Sequence, residues 1–558
     1  MILKSKNYEK SFVIILAIKN ITPKVFFFLI LLTEILLGQS IIIQGYVKDK
    51  FSNIGLDSAQ VILINKTNQS IRDTFYTNNN GFFIFTLTNV FDTLYPEVFH
   101  ISNAYPNPFN PSTNFDIYLP QEGNLKISVY SILGKLLNEK NYYLPAGNHK
   151  IEYKGIGSAG IYLLKFEFGK TSFVKKIVQT DFIDQSDIEI RISKKFSTSN
   201  ILNKINTNYY LLIAQKFAYV PDTIEVDDSQ NREVNFYLEQ VHQNAILIDL
   251  HNDVLEKVAN GYDLGKFNTI NHSDLPRFYL GGVDVQFMAL WVNPSTYPNN
   301  AFQQTLKMID SFYVQLNRYN SIFAQARNYK EIDSLVKIKK FAAILAVEGG
   351  HAIEESLDKL DSLYKLGVRY MTITWNNSTS WATAAADPQS ATRGLSEFGR
   401  QVIRKMDSLG IIIDVSHTGI KTIEDILSTT TNPIIASHSG VRSLRNHYRN
   451  LTDQQIINIA QRGGVIGVIF YPPFLTSTNT ANIDTVIKHI DYIRNLVGID
   501  HIALGSDFDG IERVVIGLEN VSKFPNLTIA LLKKGYSISD IRKIYGENIL
   551  RVIRQVCK

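Results

Sequence analysis

The sequence predicts a multidomain chain in which N-terminal all-β sandwich modules are followed by a C-terminal (β/α)8 TIM barrel. Three observations predict it. The 558 residues are too many for one hydrophobic core. From Ile41 to about Gln240, short alternating apolar runs are separated by Asn, Gly and Pro turns, the pattern of β-sandwiches. From Asn244 onward, apolar strands alternate instead with amphipathic helical stretches, which argues for βα units around a parallel sheet.

The barrel strands read off as apolar runs: AILIDLH (245–251), VDVQFMAL (283–290), FAAILAVEG (341–349), YMTITW (370–375), IIIDVSH (411–417), PIIASHS (433–439), VIGVIFYP (465–472) and HIALGSDFD (501–509). SEFGRQVIRKMDSL (396–409) and TDQQIINIAQR (452–462) carry apolar residues at helical spacing and fit between strands. Eight strands over residues 241–558 suit one barrel. A doubly wound open sheet is the alternative, but no Gly-rich phosphate loop follows the first strand.

Composition narrows the function classes. Apolar content of 45% and charged content of 20% fit soluble globular protein and exclude a multi-span membrane protein. A net charge of +5 over this length gives no reason for a nucleic-acid partner. Cys557 is the sole cysteine, so neither an internal disulfide nor a cysteine metal cage can form, and any metal must be held by histidine and carboxylate. At the N-terminus, Lys4, Lys6, Lys10, Lys19 and Lys24 precede the apolar run Val25 to Leu37. We read residues 1–40 as a signal peptide and expect export; an uncleaved anchor is the alternative, although the run is shorter than the ~20 residues a span needs and Glu34 interrupts it.

Two modules are nested in the β-rich half. Residues 41–88, and then 208–238, resemble the opening and closing strands of a carboxypeptidase-regulatory-like sandwich, placed at 41–102 and 180–240. Between them, AYPNPFNPST, LKISVYSILGKLL, LPAGNHKIEY, SAGIYLLKF and FVKKIVQ are similar to the Ig-type sorting domain that usually ends substrates of the type IX secretion system, placed at 103–179. Here that module is internal, so it serves either as an export address or as a retained spacer. Only His100 and His149 of the eleven histidines lie before residue 240, which moves the search for chemistry to the barrel.

There the strands end in groups able to bind metal or protons: His251 and Asp253, Glu348, His417, His438 and Asp507. Barrel enzymes build their sites at the C-terminal ends of strands, so these side chains can converge on one mouth. Strand alternation in Asp249-Leu250-His251-Asn252-Asp253 would point the His and both Asp toward the axis if Leu250 packs outward on the helices. Three histidines and two carboxylates suffice for two Zn²⁺, with Glu348 the natural bridge, and paired metals can share a hydroxide. Singly, a histidine on a barrel strand is more often a packed residue than a ligand; the joint pattern is what carries the reading.

DLHND (249–253), VEGGH (347–351), DVSH (414–417), ASHSG (436–440), HYRN (447–450) and GSDFDG (505–510), in this order, resemble the motif set of the membrane (renal) dipeptidases. The resemblance implies a zinc-dependent dipeptidase of the TIM barrel metallohydrolase class, working through a metal-bridging hydroxide. His251 and Asp253 would hold one zinc, His417 and His438 the other, and Glu348 would bridge both. Arg449 would hold the free carboxylate of a dipeptide substrate and Asp507 would carry the proton. One position departs from the pattern: Trp375 stands where mammalian members have a histidine near the scissile carbonyl, and an indole donates one hydrogen bond but cannot titrate. Asn376 or Asn377 is the substitute amide donor.

Asp249 and Asp414 are read as groups that orient ligands. His351, His447, His489 and His501 are read as structural, and Trp291 and Trp381 as either pocket or core. The competing functions are another barrel metallohydrolase acting on a cyclic amide or ester, and an inactive surface-displayed binding protein. Expected partners are a dipeptide, export machinery or the cell surface, and a second copy in a homodimer; substrate preference is expected to depend on loops 293–305 and 376–395.

Overall fold

The structure is a computed structural model that describes residues 40–66, 71–88, 99–180, 189–194 and 208–557, apart from positions 103, 106, 108, 110, 111, 133, 156–158 and 479. The leader expected at 1–40 therefore lies outside the described residues, save Ser40. Among the described residues no helix is long and apolar enough to cross a membrane.

Strands from the two ends of the β-rich half meet in one sandwich. One sheet joins Ser40–Asp49 to Phe82–Thr88 and, in parallel, to Arg232–Leu238, with Ile43 opposite Arg232. The other runs Asp222–Asp227, Tyr209–Gln215, Gln60–Asn65, Ile71–Tyr76. Every second residue of Gln60–Asn65 is buried, as a half-covered strand requires, and Val61 and Leu63 pack with Ile43, Phe83, Leu212 and Phe236 in a core of their own. Between these halves sits a second sandwich of two four-stranded sheets, with a separate core that includes Phe115, Ile127, Ile151 and Phe166. It extends beyond 103–179, because His100–Ile101 and Glu189–Lys194 pair into its sheet.

The C-terminal unit is a closed parallel barrel. Its strands are β1 (Leu247–Asn252), β2 (Val283–Trp291), β3 (Phe341–Glu348), β4 (Val368–Thr372), β5 (Ile412–Asp414), β6 (Ile435–Ser439), β7 (Val465–Val468) and β8 (Ile502–Leu504). Each pairs with its neighbours in order, and β8 closes onto β1 through Asp249 and Leu504. A short extra strand, Phe323–Gln325, pairs with the start of β3. Each of the eight expected apolar runs overlaps one of these strands, although β4 begins at Val368, two residues before its run. The two expected helices form as Glu397–Leu409, capped by Ser396, and Asp453–Gln461, opened by a Thr452/Gln455 capping box.

One apolar cluster takes side chains from all eight strands, among them Leu250, Phe287, Ile344, Tyr370, Ile412, Ile435, Val465 and Ala503, and is the barrel interior. Opposite-facing residues such as Met288, Leu345, Ile413 and Ile466 pack under the helices. Both faces being buried explains why β3 reads as an unbroken apolar run. The C-terminal helix Asn548–Val556 adds Ile549, Val552 and Ile553 to the interior cluster, and Asn548 donates to the Ile502 carbonyl, so this helix closes the end where the strands begin. The opposite mouth is left free for the site. Leu250 faces inward with Ile248, so β1 alternates with the phase opposite to the one expected. The β1 register shifts between Asp249 and Asn252, and this irregularity, not period two, brings His251 over the barrel axis.

Candidate metal centre and substrate cleft

The mouth gathers the six strand-end groups. His251 lies near the end of β1 and Asp253 follows it, Glu348 ends β3, His417 follows β5, His438 lies in β6 and Asp507 follows β8. All except Asp507 are buried. Glu348 is central: its Oε1 is 2.9 Å from His417 Nε2 and 3.6 Å from His438 Nε2, and its Oε2 is 3.6 Å from His251 Nε2. On the far side, His251 Nε2 is 3.4 Å from Asp253 Oδ2 and 3.9 Å from Asp507 Oδ1. His251, Glu348 and His438, and separately His251, Asp253 and Asp507, are grouped tightly enough to hold an ion.

The strands are locally arranged for this. Asp414 ends the β5 ladder by accepting from the Ser416 and Ser437 backbone N–H groups and from the Thr372 and Ser437 hydroxyls, which ties β4, β5 and β6 together. Asp249 does the same between β1 and β8, accepting from the Ser506 N–H and hydroxyl. A Cβ at Gly467 or Gly505 would meet the Ser437 carbonyl oxygen at 1.9 or 1.8 Å, so only glycine lets β7 and β8 come this close below His438. His417 (φ 63°) and Asp507 (φ 64°) hold left-handed backbone, a strained conformation for both that aims their side chains into the mouth.

The hydrogen bonds assign the imidazole tautomers. The Tyr370 hydroxyl donates to the Leu250 carbonyl, so His251 Nδ1–H donates to the Tyr370 oxygen at 2.6 Å. The Ser437 hydroxyl donates to Asp414, so His438 Nδ1–H donates to Ser437 at 2.8 Å. His417 Nδ1–H donates to Asn376 Oδ1 at 3.0 Å. All three Nε2 atoms are therefore bare, and two of them, on His417 and His438, face each other at 3.1 Å. Two lone pairs cannot hydrogen-bond to one another, and His251 Nε2 and Asp253 Oδ1 are buried without a partner. Bare nitrogens and carboxylate oxygens converging in a buried space are what a metal requires of its ligands, so the residues fit a metal site.

Electrostatics agree. Burial, reinforced by the Arg449 charge, depresses His417 to about 4. Burial and the neighbouring cationic groups hold His438 well below the usual imidazole range. Both are thus kept neutral, as ligands must be. Burial would raise Glu348, but His251 and His417 pull it below the ordinary carboxylate range. Burial, together with the Asp253 and Glu348 charges, pushes Asp507 well above its ordinary value. His251 is drawn upward against the effect of burial by Tyr370, Glu348 and Asp253, which marks the spot before its Nε2 as one that demands a positive charge.

A cleft of ≈ 270 Å³ opens beside these groups. Arg449 lines it, almost fully buried: Nη2 donates to the His438 carbonyl at 3.3 Å, while Nε and Nη1 have no partner. Trp375 lines it too, 6.2 Å from the His417 ring and 5.1 Å from Trp291. Asn376 spends its carbonyl oxygen on His417, so its first task is to orient that imidazole. Trp381 is core, packed on Phe398. His242, His351, His489 and His501 bond to backbone carbonyls. Unforeseen from sequence are Tyr370, which sets the His251 tautomer, and the cleft residues Tyr448, Tyr471, Phe474 and Ile511. Their only signal is position, just past the ends of β6, β7 and β8.

The comparisons with known proteins join this geometry to a family. Residues 237–558 match the family model for membrane dipeptidase, peptidase family M19, and residues 103–180 match that of a secretion system C-terminal sorting domain. An uncharacterised dipeptidase of Schizosaccharomyces pombe is 36% identical over 325 residues, 55% of this chain and 80% of that protein. A metallo peptidase from Rhodobacter sphaeroides, solved with a phosphinate mimic of the dipeptide L-Ala-D-Ala, is 25% identical with a TM-score of 0.53, covering 56% of this chain and 99% of its own. The probable dipeptidase PvdM from Pseudomonas aeruginosa shares the fold at 23% identity and TM-score 0.53, over 57% and 96% of the two chains. With more than half of its length matched, the chain belongs to the membrane dipeptidase family, peptidase family M19, and is a metallo-dipeptidase.

Proposed function

We propose that the barrel hydrolyses dipeptides at a two-zinc centre, with His251 and Asp253 on one ion, His417 and His438 on the other, and Glu348 bridging. The observation that carries this reading is the set of three bare Nε2 atoms, each backed by an Nδ1–H donor bond, around one buried carboxylate. When bound, the zinc pair supplies an acidified water as nucleophile and positive charge for the carbonyl oxygen.

The chain's own residues do the rest. Arg449 offers two unpartnered N–H groups in a buried, fixed geometry, which suits the C-terminal carboxylate of a dipeptide. A longer peptide would carry its carboxylate elsewhere, out of reach of Arg449. Asp507, which burial holds well above its ordinary value and which lies beside the centre, accepts the proton of the attacking water and returns it to the departing amine. Tyr370, Asn376 and the Ser437–Asp414 pair hold the three imidazoles in their ligand tautomers. Trp375 cannot exchange a proton, so it takes no part in acid–base work. The leader and the sorting-type module support export to the cell surface, with the interrupted outer sandwich a carboxypeptidase-regulatory-like spacer.

The test is hydrolysis of a panel of L,L- and L,D-dipeptides by the purified chain, with metal content measured alongside. Two zinc ions per chain, cleavage lost on chelation and regained with zinc are expected. A folded, metal-free barrel that cleaves none of them would return the chain to the binding-protein reading.

A further inference from the structure

The two sides of the cleft are unlike. Arg449, which follows β6, and Tyr471 and Phe474, which follow β7, form one side; the Arg449 guanidinium lies over the Phe474 ring at 5.4 Å. In an eight-strand barrel closed in sequence order, β2 to β4 stand across the mouth from β6 to β8. That opposite side is indole: Trp291 is the last residue of β2 and Trp375 lies just past β4, with ring centroids 5.1 Å apart and planes at 55°. Glu348 and His417 lie between the two sides.

The indole side is fixed in place. Trp291 sits in register opposite Glu348 on β3. The next residue, Val292, accepts a hydrogen bond at 2.8 Å from His351, in the helical turn after Glu348. At Gly349 (φ 102°) a Cβ would crowd the His351 ring and approach Trp375 Cβ to 3.3 Å, so the chain turns there on a residue without a side chain.

A dipeptide whose carboxylate is held by Arg449 and whose peptide carbonyl faces the centre extends its N-terminal residue toward β2–β4. From this arrangement we propose that Trp291 and Trp375 form the wall against which the side chain of the N-terminal residue packs, making the enzyme selective for dipeptides with a large apolar or aromatic N-terminal residue. The inference rests on the dipeptidase reading above. Two rigid indoles offer a broad apolar surface with an edge-and-face geometry that rewards an aromatic ring, whereas a methyl side chain leaves that surface wet. A histidine at 375 would give a smaller, more polar wall.

The experiment compares kcat/KM for X-Ala dipeptides (X = Ala, Leu, Phe) and for the reversed Ala-X series, in the full-length metal-loaded protein and its W375A, W375H, W375F and W291A variants. Selectivity ratios are read because they do not depend on the folded fraction. Phe-Ala is expected to exceed Ala-Ala by about tenfold or more. That ratio should fall by most of its value in W375A, W375H and W291A and be largely kept in W375F, while the Ala-X ratios hold steady. A ratio unmoved by any variant, or a loss confined to the Ala-X series, overturns the wall. A wild-type protein inert on every dipeptide overturns the dipeptidase reading itself, which an active enzyme lacking N-terminal preference would not.

Discussion

Arg449→Met separates function from stability in opposite directions. In the native protein the guanidinium is buried, with Nε and Nη1 unpartnered and only one long bond, Nη2 to the His438 carbonyl. Two charge-assisted hydrogen bonds to a substrate carboxylate, at about 1.5–3 kcal/mol each, amount to about 3–6 kcal/mol. Their loss should lower kcat/KM for a free dipeptide on the order of 10²- to 10⁴-fold. The same dipeptide with an amidated C-terminus should be equally poor for wild type and variant, because the missing partner is then on the substrate. The desolvated guanidinium keeps two donors unpartnered, a cost larger than its single long hydrogen bond offsets, so the variant should melt no lower than wild type; relief of about 1 kcal/mol would raise the barrel midpoint by about 2–4 °C. The assay is steady-state kinetics on the acid and amide pair, with thermal melts of the metal-loaded proteins. If the variant loses the same factor on acid and amide, or melts several degrees lower, Arg449 only shapes the cleft.

Other outcomes follow from the same geometry. On the proposed two-zinc centre, Glu348→Gln should leave at most one zinc ion per chain and abolish turnover; two retained ions by elemental analysis would remove Glu348 from the bridge. Asp507→Asn should keep both ions and KM while kcat falls by about 10²–10⁴, and a loss of metal would make it a ligand instead. Asp284, whose carboxylate accepts from the Leu247 N–H, is raised to about 6 by burial, against the opposing pull of that hydrogen bond and of Lys339. Its folded value exceeds its unfolded one, so the stability it contributes is complete below about pH 4 and is lost as pH rises through about 6. Discounted for partial exposure, the swing is about 1–2 kcal/mol, and Asp284→Asn should flatten it in melts taken from pH 4 to 7.

Much of the barrel is legible before folding. Phe341–Glu348 reads as an unbroken apolar run because both its faces are covered, and that is a local property of composition. The same holds for Glu397–Leu409, whose apolar spacing and Ser396 cap announce it. Ligand-type residues at strand ends are legible jointly: one histidine closing an apolar run is more often packed than ligating, but several such groups on strands of one barrel share a mouth. The expected phase failed at Leu250, which joins Ile248 in the interior, and beyond Asp249 a register shift with β2 breaks the period. The apolar run at 411–417 overestimated β5, whose ladder stops at Asp414 because that carboxylate captures the next backbone N–H groups.

By itself, then, the sequence determined the number and order of the barrel strands, the residue types offered at their ends, and the exclusion of cysteine ligands. These depend on near neighbours along the chain. Only the tertiary structure decided that three Nε2 atoms meet at Glu348, which partners strip them of protons, that Trp291 stands with Trp375 across the mouth from Arg449, and that strands at 40–88 and 209–238 share one sandwich. Each is a distance between residues far apart in the chain, and such distances are set by closure of a whole sheet and the packing beneath it, which no local pattern encodes.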